Sequence, residues 1–398
     1  MDVLTQNETT DFYDYTVGLE TLIGSNSSTN YDYQSIFDNL ENVEYPVAFK
    51  QVPLWEMIVK ITLYSVIILS AIVGNILIIV VVANNKRMQS TSNYFIVNLA
   101  VSDLLVTGFC TWVRLVDDIT EGWVLGNFFC KFNSFTQVMS MVAGIFSLIL
   151  IACDRFFGIV FAMKAHIIER KASYSIIIIW VCAIAVATPL LVVRKEESVT
   201  WSNHVEIWCD DTWPMSLTKD PATGRDIVSF PGRKAYYTFL TIALYFIPMV
   251  TMSAIYSLII MTVWFKRAPG ERVSAKEIKV QKRVKRKVVK MLVMILATFG
   301  FCWLPLEIVI LYSEYRTNRL QPLPEWYGVL EFLAYTLAYA NSAINPLIYA
   351  GFNENFRKGL YFQAFGRYLD VTKESFTPLY LERIQCTTLQ RQTSQHNT

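Results

Sequence analysis

Few side chains in this chain carry reactive chemistry, and most of those fall where water is scarce. Asp103 sits in the middle of the apolar run NLAVSDLL. Asn75 lies in GNILI, and Asn341, Ser342 and Asn345 lie in ANSAINPLIY, two further apolar runs. A carboxylate among amides and hydroxyls can bind a cation or exchange a proton, and it can equally anchor a structural hydrogen-bond network. Asp154 and Arg155 are adjacent at the end of another apolar run, where a snorkelling ion pair is the plainest reading. The three histidines, His166, His204 and His396, lie far apart, and no Cys/His group has zinc spacing, so no metal site is expected. HExxH and paired in-span carboxylates are both missing from the sequence, which argues against a membrane enzyme.

Positioning these residues requires membrane helices. Of the 398 residues, 53% are hydrophobic and 17% are charged, against about 25% charged in a typical soluble domain. The mean hydropathy is +0.34. A spanning helix needs about 20 mostly apolar residues. Seven blocks qualify, near Trp55–Ala83, Asn93–Val116, Phe128–Val160, Ser173–Val193, Ala235–Trp264, Val288–Tyr312 and Trp326–Ala350. The expected fold is an all-α membrane protein, a seven-transmembrane helix bundle over 55–351. A short amphipathic membrane-surface helix over 352–365, with Phe352, Phe356 and Leu360 at i, i+4 spacing, precedes a cytoplasmic tail over 366–398. Pro189, Pro248, Pro305 and Pro346 interrupt spans four to seven, and each invites a kink.

Charge gives the bundle a sidedness. Segment 265–290 holds eleven Lys/Arg against two acids, and Lys86, Arg87, Lys164, Arg170 and Lys171 follow spans one and three. Residues 1–50 hold nine acids and one base, Lys50. The basic loops are expected in the cytoplasm, with the N-terminus outside and the C-terminus inside a plasma membrane. Segment 1–54 is then a flexible extracellular tail. Its sequons at Asn7 and Asn26 lie on the side where glycosylation occurs. Tyr13, Tyr15, Tyr31 and Tyr33 stand among acids, where sulfation and ordinary solvation are both open. Cys130 and Cys209 both face the oxidising side, and a disulfide between them would hold the loop of 194–234 over the bundle mouth. Cys110, Cys153, Cys182 and Cys302 fall inside spans and are expected to be buried. Cys386 is expected to be reduced in the inner tail.

Seven spans suit a receptor, a transporter or a retinal pump. No lysine lies in 326–350 for a Schiff base, and no inverted repeat is visible, so a receptor leads. The motifs then carry a resemblance. Gly74-Asn75, NLAVSDLL with Asp103, Trp123, Cys130, Asp154-Arg155-Phe156, Trp180, Pro248 with Tyr256, Phe299-x-x-Cys302-Trp303-Leu304-Pro305 and Asn345-Pro346-Leu-Ile-Tyr349 occur in order, with a mark in each span. Across residues 55–365 the chain resembles class A (rhodopsin-like) G-protein-coupled receptors, and within them the neuropeptide receptors of the neuropeptide FF (RFamide), neuropeptide Y and orexin groups. MLVMILATFGFCWLPLE and GFNENFRKG look nearest to the RFamide group.

The resemblance implies a receptor with no chemistry of its own. It would bind an amidated peptide ending in Arg-aromatic-amide and activate a heterotrimeric G protein. The alternatives are a class A receptor for a non-peptide ligand or a seven-span transporter. Gln137 stands where amine receptors need an aspartate, and it would meet the peptide amide. Glu314, at the top of span six, would pair with the peptide arginine. Glu307, Asp117, Asp118, Asp210 and Asp211 complete the expected ligand contacts, with Arg114 beside them. Asp154, Arg155, Tyr256, Trp303, Pro305, Asn345, Pro346 and Tyr349 would carry activation. Asp103, Asn341, Ser342 and Asn345 resemble a sodium pocket, so an allosteric sodium ion is the one bound ion implied, and no cofactor is expected. Gly144 departs from that pocket, where a serine is usual. Lys285 departs at the foot of span six, where an acid can latch Arg155, which would leave the resting state to Asp154 alone. Arrestin, receptor kinases and membrane lipid are the further partners implied, with Ser375, Thr377, Thr387, Thr388, Thr393 and Ser394 as phosphosites; no nucleic-acid partner is expected.

Overall fold

The computed structural model describes residues 52–161, 172–214, 216–219, 226–265, 275–316, 324–353 and 356–359. The sequons at Asn7 and Asn26, the tail tyrosines, Lys164, Arg170, Lys171, Leu360, Cys386 and the tail phosphosites lie outside the described residues, as does most of the expected surface helix.

Among the described residues seven helical rods follow one another. They are α1 (Leu54–Asn84), α2 (Thr91–Val106, a π turn Thr107–Thr111, then Trp112–Ile119), α3 (Gly126–Val160), α4 (Ala172–Val193), α5 (Pro231–Thr241, a π turn Ile242–Phe246, then Ile247–Phe265), α6 (Ala275–Tyr315) and α7 (Glu325–Phe352). Among the described residues six helices are long and apolar enough to cross a membrane. The rod α7 is more polar because its inward positions include Thr336, Asn341, Ser342 and Asn345, all buried. The rod α6 begins thirteen residues earlier than the apolar block at Val288, since Lys, Arg, Glu and Gln are good helix formers and extend it through AKEIKVQKRVKRK.

Each rod is sorted by face. In α1 the buried set Tyr64, Ile67, Ala71, Asn75, Ile78 and Val82 repeats every three to four residues, while Leu69, Val73 and Ile76 are exposed apolar residues, as a lipid-facing side requires. Buried Ile179, Ala183, Ala187 and Leu190 mark the inward stripe of α4. Cys182 falls off that stripe and is exposed, and Cys153 is half-buried; only Cys110 and Cys302 of the four in-span cysteines are buried as expected. The rod α3 is the hub, packing on α2, α4 and α5. Trp180 of α4 donates to Asn98 at 2.9 Å, and Asn98 donates to Ser147 at 2.8 Å, joining α4, α2 and α3.

Pro248 lacks an N–H, and its ring crowds the carbonyl four residues earlier, at Leu244. That carbonyl lies within the π turn of α5, where the hydrogen-bond ladder is already widened. Between α1 and α7 the approach is close. Asn75 donates to the carbonyls of Ala71 at 2.9 Å and Ser342 at 3.0 Å. A Cβ placed on Gly74 would lie 2.6 Å from Cβ of Pro346, so only glycine fits. Gly74→Ala is therefore expected to cost about 1–3 kcal/mol of stability through overpacking. A lower midpoint in thermal unfolding of the solubilised protein would register it, and an unchanged midpoint would refute the close contact.

The connection from α4 to α5 departs from the all-helical expectation. It holds β1 (Arg194–Thr200) paired antiparallel with β2 (Val205–Asp211), then β3 (Ser216–Lys219) paired antiparallel with β4 (Asp226–Ser229). In the first hairpin Arg194 faces Asp211 and Glu196 faces Cys209. Cys209 is disulfide-bonded to Cys130 at the start of α3, with Cα atoms 5.6 Å apart. A second tie is backbone: Trp123 N–H donates to the Ile207 carbonyl at 2.7 Å. Gly122 beside it has φ of +72°, and a Cβ there would lie 2.7 Å from that same oxygen. Glycine is needed for both reasons.

Candidate functional site

The hairpin end of the bundle encloses a cavity of about 640 Å³ between α2, α5, α6, α7 and β2. Its wall carries two carboxylate poles, each held by an arginine of the chain.

The first pole joins β2, α5 and α6. Pro231 opens α5 at a position that needs no N–H, and one turn of helix presents Arg233 toward the cavity. Arg233 Nε donates to Glu314 Oε1 at 3.0 Å, Nη1 donates to Asp210 Oδ1 at 3.3 Å, and Asp211 Oδ2 lies 4.0 Å from Nε. The Glu314 side chain is 2% exposed, that of Arg233 21% and that of Asp210 49%. Arg194 shares two of these acids. It lies 3.0 Å from Asp211 and 3.6 Å from Asp210, and it donates to Ser134 Oγ of α3 and to the Cys209 carbonyl. Burial opposes the Arg194 charge, but Asp211 beside it, with Tyr237 and Asp210, outweighs burial and pushes the guanidinium further toward its charged form. Tyr237 and Trp213 both donate to Asp211, which is thereby fixed inside the structure.

The second pole joins α1, α2 and α7. Arg114 and Asp118 are one turn apart on α2 and lie 2.9 Å apart. Arg114 also lies 3.6 Å from Asp117 and 3.7 Å from Glu331 of α7, and its guanidinium stands 4.3 Å above the Tyr335 ring. Tyr64 of α1 donates to Asp118 at 3.3 Å. From this pole aromatic rings descend into the bundle. Tyr335 stacks on Tyr339 with centroids 6.2 Å apart, and the Tyr339 hydroxyl donates to Gln137 Oε1 at 3.2 Å. Gln137 therefore keeps its amide N–H groups for another acceptor.

Of the expected ligand contacts, Glu314, Asp117, Asp210 and Asp211 line the cavity, while Gln137, Glu307 and Asp118 are not part of its wall. Glu307 is buried between α5 and α6, where Thr241 donates to it at 2.6 Å. Arg233, Glu331, Tyr335 and Tyr339 are site residues that reading the sequence alone misses. Arg233 and Glu331 fall within two turns of a helix end, while Tyr335 and Tyr339 lie deeper in α7, where aromatic residues are unremarkable in a span.

Midway along the bundle, Asp103 accepts from Ser342 at Oδ1 and from Asn345 at Oδ2, both at 2.9 Å. Asn341 is buried nearby in sequence but makes no hydrogen bond to Asp103 among the described residues, so three of the four expected pocket residues are joined directly. Gly144 packs tightly against α2, since a Cβ there would lie 3.3 Å from Leu99 Cδ1. At the end opposite the hairpins Arg155 lies 3.7 Å from Asp154. Asp154 also accepts from the Ser92 hydroxyl, so its position rests on α2 as well. Lys285 is exposed, while Tyr256 and Tyr349 are buried.

Comparison with known proteins matches residues 74–349 to the family described as 7 transmembrane receptor (rhodopsin family). The chain is 34% identical over 316 residues to neuropeptide FF receptor 2 of Mus musculus, covering 76% of this chain and 71% of that one. It is 32% identical over 328 residues to a QRFP-like peptide receptor of Branchiostoma floridae, covering 81% and 82%. It is 29% identical over 310 residues to the substance-P receptor of Mus musculus, covering 77% and 71%.

Proposed function

The chain belongs to the rhodopsin family of seven-transmembrane receptors, and from that premise we propose that it is a plasma-membrane receptor for an amidated neuropeptide. The hairpin end faces outward and the basic end faces the cytoplasm. The peptide's arginine docks on Glu314 and its terminal amide reaches down to Gln137. The observation that carries this reading is the buried carboxylate of Glu314 in the wall of a cavity large enough for several side chains. The relatives support the ligand class, since two of them are named for neuropeptide FF and QRFP-like peptides.

Binding shifts the population toward a state in which α6 swings outward at its basic end. Trp303 and Pro305 act as toggle and hinge. Arg155 leaves Asp154 to meet the heterotrimeric G protein, and Tyr256 and Tyr349 hold the open form. Arrestin and receptor kinases act on the inner tail, and a sodium ion held by Asp103, Ser342 and Asn345 favours the resting state. The sequons at Asn7 and Asn26 carry glycans on the outer tail.

The test is G-protein activation in cells expressing the chain, run against a panel of amidated peptides with Gln137→Ala and Glu314→Ala alongside. Activation by an Arg-aromatic-amide peptide that both substitutions weaken supports the reading. Activation insensitive to both keeps the receptor and discards the site. Silence at confirmed surface expression rejects the peptide class.

A further inference from the structure

The acid that the peptide arginine would need is already occupied by an arginine of the chain. We propose that Arg233 sets the ligand specificity of this site: it holds Glu314 in the unliganded protein, and a ligand guanidinium binds by exchange with it, Arg233 withdrawing onto Asp210. The inference rests on the assignment of Glu314 as the acceptor of the ligand's cation.

Three features of the geometry make the exchange workable. Access is the first. The Glu314 side chain is 2% exposed, and Arg233 lines the cavity directly against it, so a cation reaching Glu314 from the cavity meets Arg233. The second is a fallback for the displaced charge. Arg233 contacts Asp210 at 3.3 Å and Asp211 at 4.0 Å as well as Glu314, with the Tyr237 ring 5.9 Å away. Asp210 is half-exposed, and although Arg194 also lies 3.6 Å from it, the shorter ties of Arg194 are to Asp211 at 3.0 Å, Ser134 and the Cys209 carbonyl. The third is conservation of charge pairing. One guanidinium leaves Glu314 as another arrives, so the count of buried charges at the carboxylate is the same before and after the exchange.

The exchange discriminates by chemistry. A neutral side chain of the same shape cannot supply Glu314 with the guanidinium contact that Arg233 gives up. An ammonium lacks the planar fork that matches a carboxylate. The resident arginine therefore raises the threshold for every ligand and lowers it again only for one that brings its own guanidinium.

The probes are the dipeptide arginyl-phenylalaninamide and its citrulline counterpart, which is neutral and nearly isosteric. Binding is measured by thermal-shift titration of the purified full-length receptor as wild type, Arg233→Gln, Glu314→Gln and the double variant. Arg233→Gln is expected to bind the arginine dipeptide about tenfold more tightly than wild type, with citrulline binding unchanged and the gain lost in the double variant. Arg233→Lys, which keeps a charge but gives up the fork, is expected to show a smaller gain and serves if Arg233→Gln does not fold. No gain in either variant, or a gain shared by the citrulline probe, overturns the exchange. Weaker arginine binding in Glu314→Gln without any gain in the Arg233 variants discards the exchange and keeps the docking site. Equal binding by Glu314→Gln and wild type discards the docking site itself, and no binding to any form overturns both.

Discussion

Cells expressing Glu314→Ala are expected to need about 10–100-fold more of an Arg-aromatic-amide peptide for half-maximal G-protein activation. A hydrogen bond to a charged group contributes about 1.5–3 kcal/mol, and each 1.4 kcal/mol is a factor of about ten. An exposed ion pair would contribute about 1 kcal/mol or less, and the 2% exposure of the Glu314 side chain decides between the two. Loss of Glu314 does not strand Arg233, which keeps Asp210 at 3.3 Å, so the effect reports on the ligand more than on the fold. Gln137→Ala removes a neutral hydrogen bond and is expected to shift the curve only about 2–10-fold. A larger effect at Gln137 than at Glu314 would reverse the proposed ranking.

The contrast between these two residues also shows how far sequence reasoning reaches. Glu314 can be placed at a span end by counting along an apolar block, because period and length are local properties. Its partner Arg233 lies 81 positions away, on another rod, inside a loop whose mixed charges look unremarkable in one dimension. The same limit hides the Thr241 hydroxyl on Glu307 and the Tyr339 hydroxyl on Gln137. Asp103 is the instructive opposite. That it must find polar company in an apolar span can be anticipated from chemistry alone, and the four residues named for it include its donors Ser342 and Asn345, while Asn75 and Asn341 do not bond it among the described residues. The first hairpin is missed for a different reason. RKEESVT and VEIWCDD are short and charged, and their pairing is supported by the disulfide and by Gly122 rather than by an apolar alternation. Cys182 is misplaced because a uniformly apolar helix gives no phase from which to read its inward face.

Removing the disulfide is the second large effect. Cys130→Ala, Cys209→Ala and the double variant are each expected to lose about 2–5 kcal/mol and to weaken peptide binding by more than tenfold. The bond closes a loop with a sequence separation of 79. It also pins β2, which supplies Cys209, Asp210 and Asp211 to the cavity wall. Because Arg194 and the Trp123–Ile207 contact hold the same hairpin, the helices themselves are expected to remain folded. Radioligand binding with surface expression measured in parallel separates these quantities. Equal affinity per surface receptor in wild type and double variant would show that the hairpin does not shape the site.

The two π turns carry a consequence for insertions and deletions. Each residue of an α-helix advances about 100° around the axis, so one residue lost in the middle of α2 or α5 would rotate everything beyond it by roughly that angle. Arg114, Asp117 and Asp118 all follow the π turn of α2, and Arg233 and Tyr237 precede that of α5, so in both rods they lie on the hairpin side of the turn. A π turn stores one surplus residue. Removing a single residue within Thr107–Thr111 or Ile242–Phe246 would tighten that turn to ordinary α geometry and leave the charged segment aimed as before. The same removal a few positions away would turn the arginine or its acids off the cavity. These two short stretches are the places where this molecule can change length without changing aim.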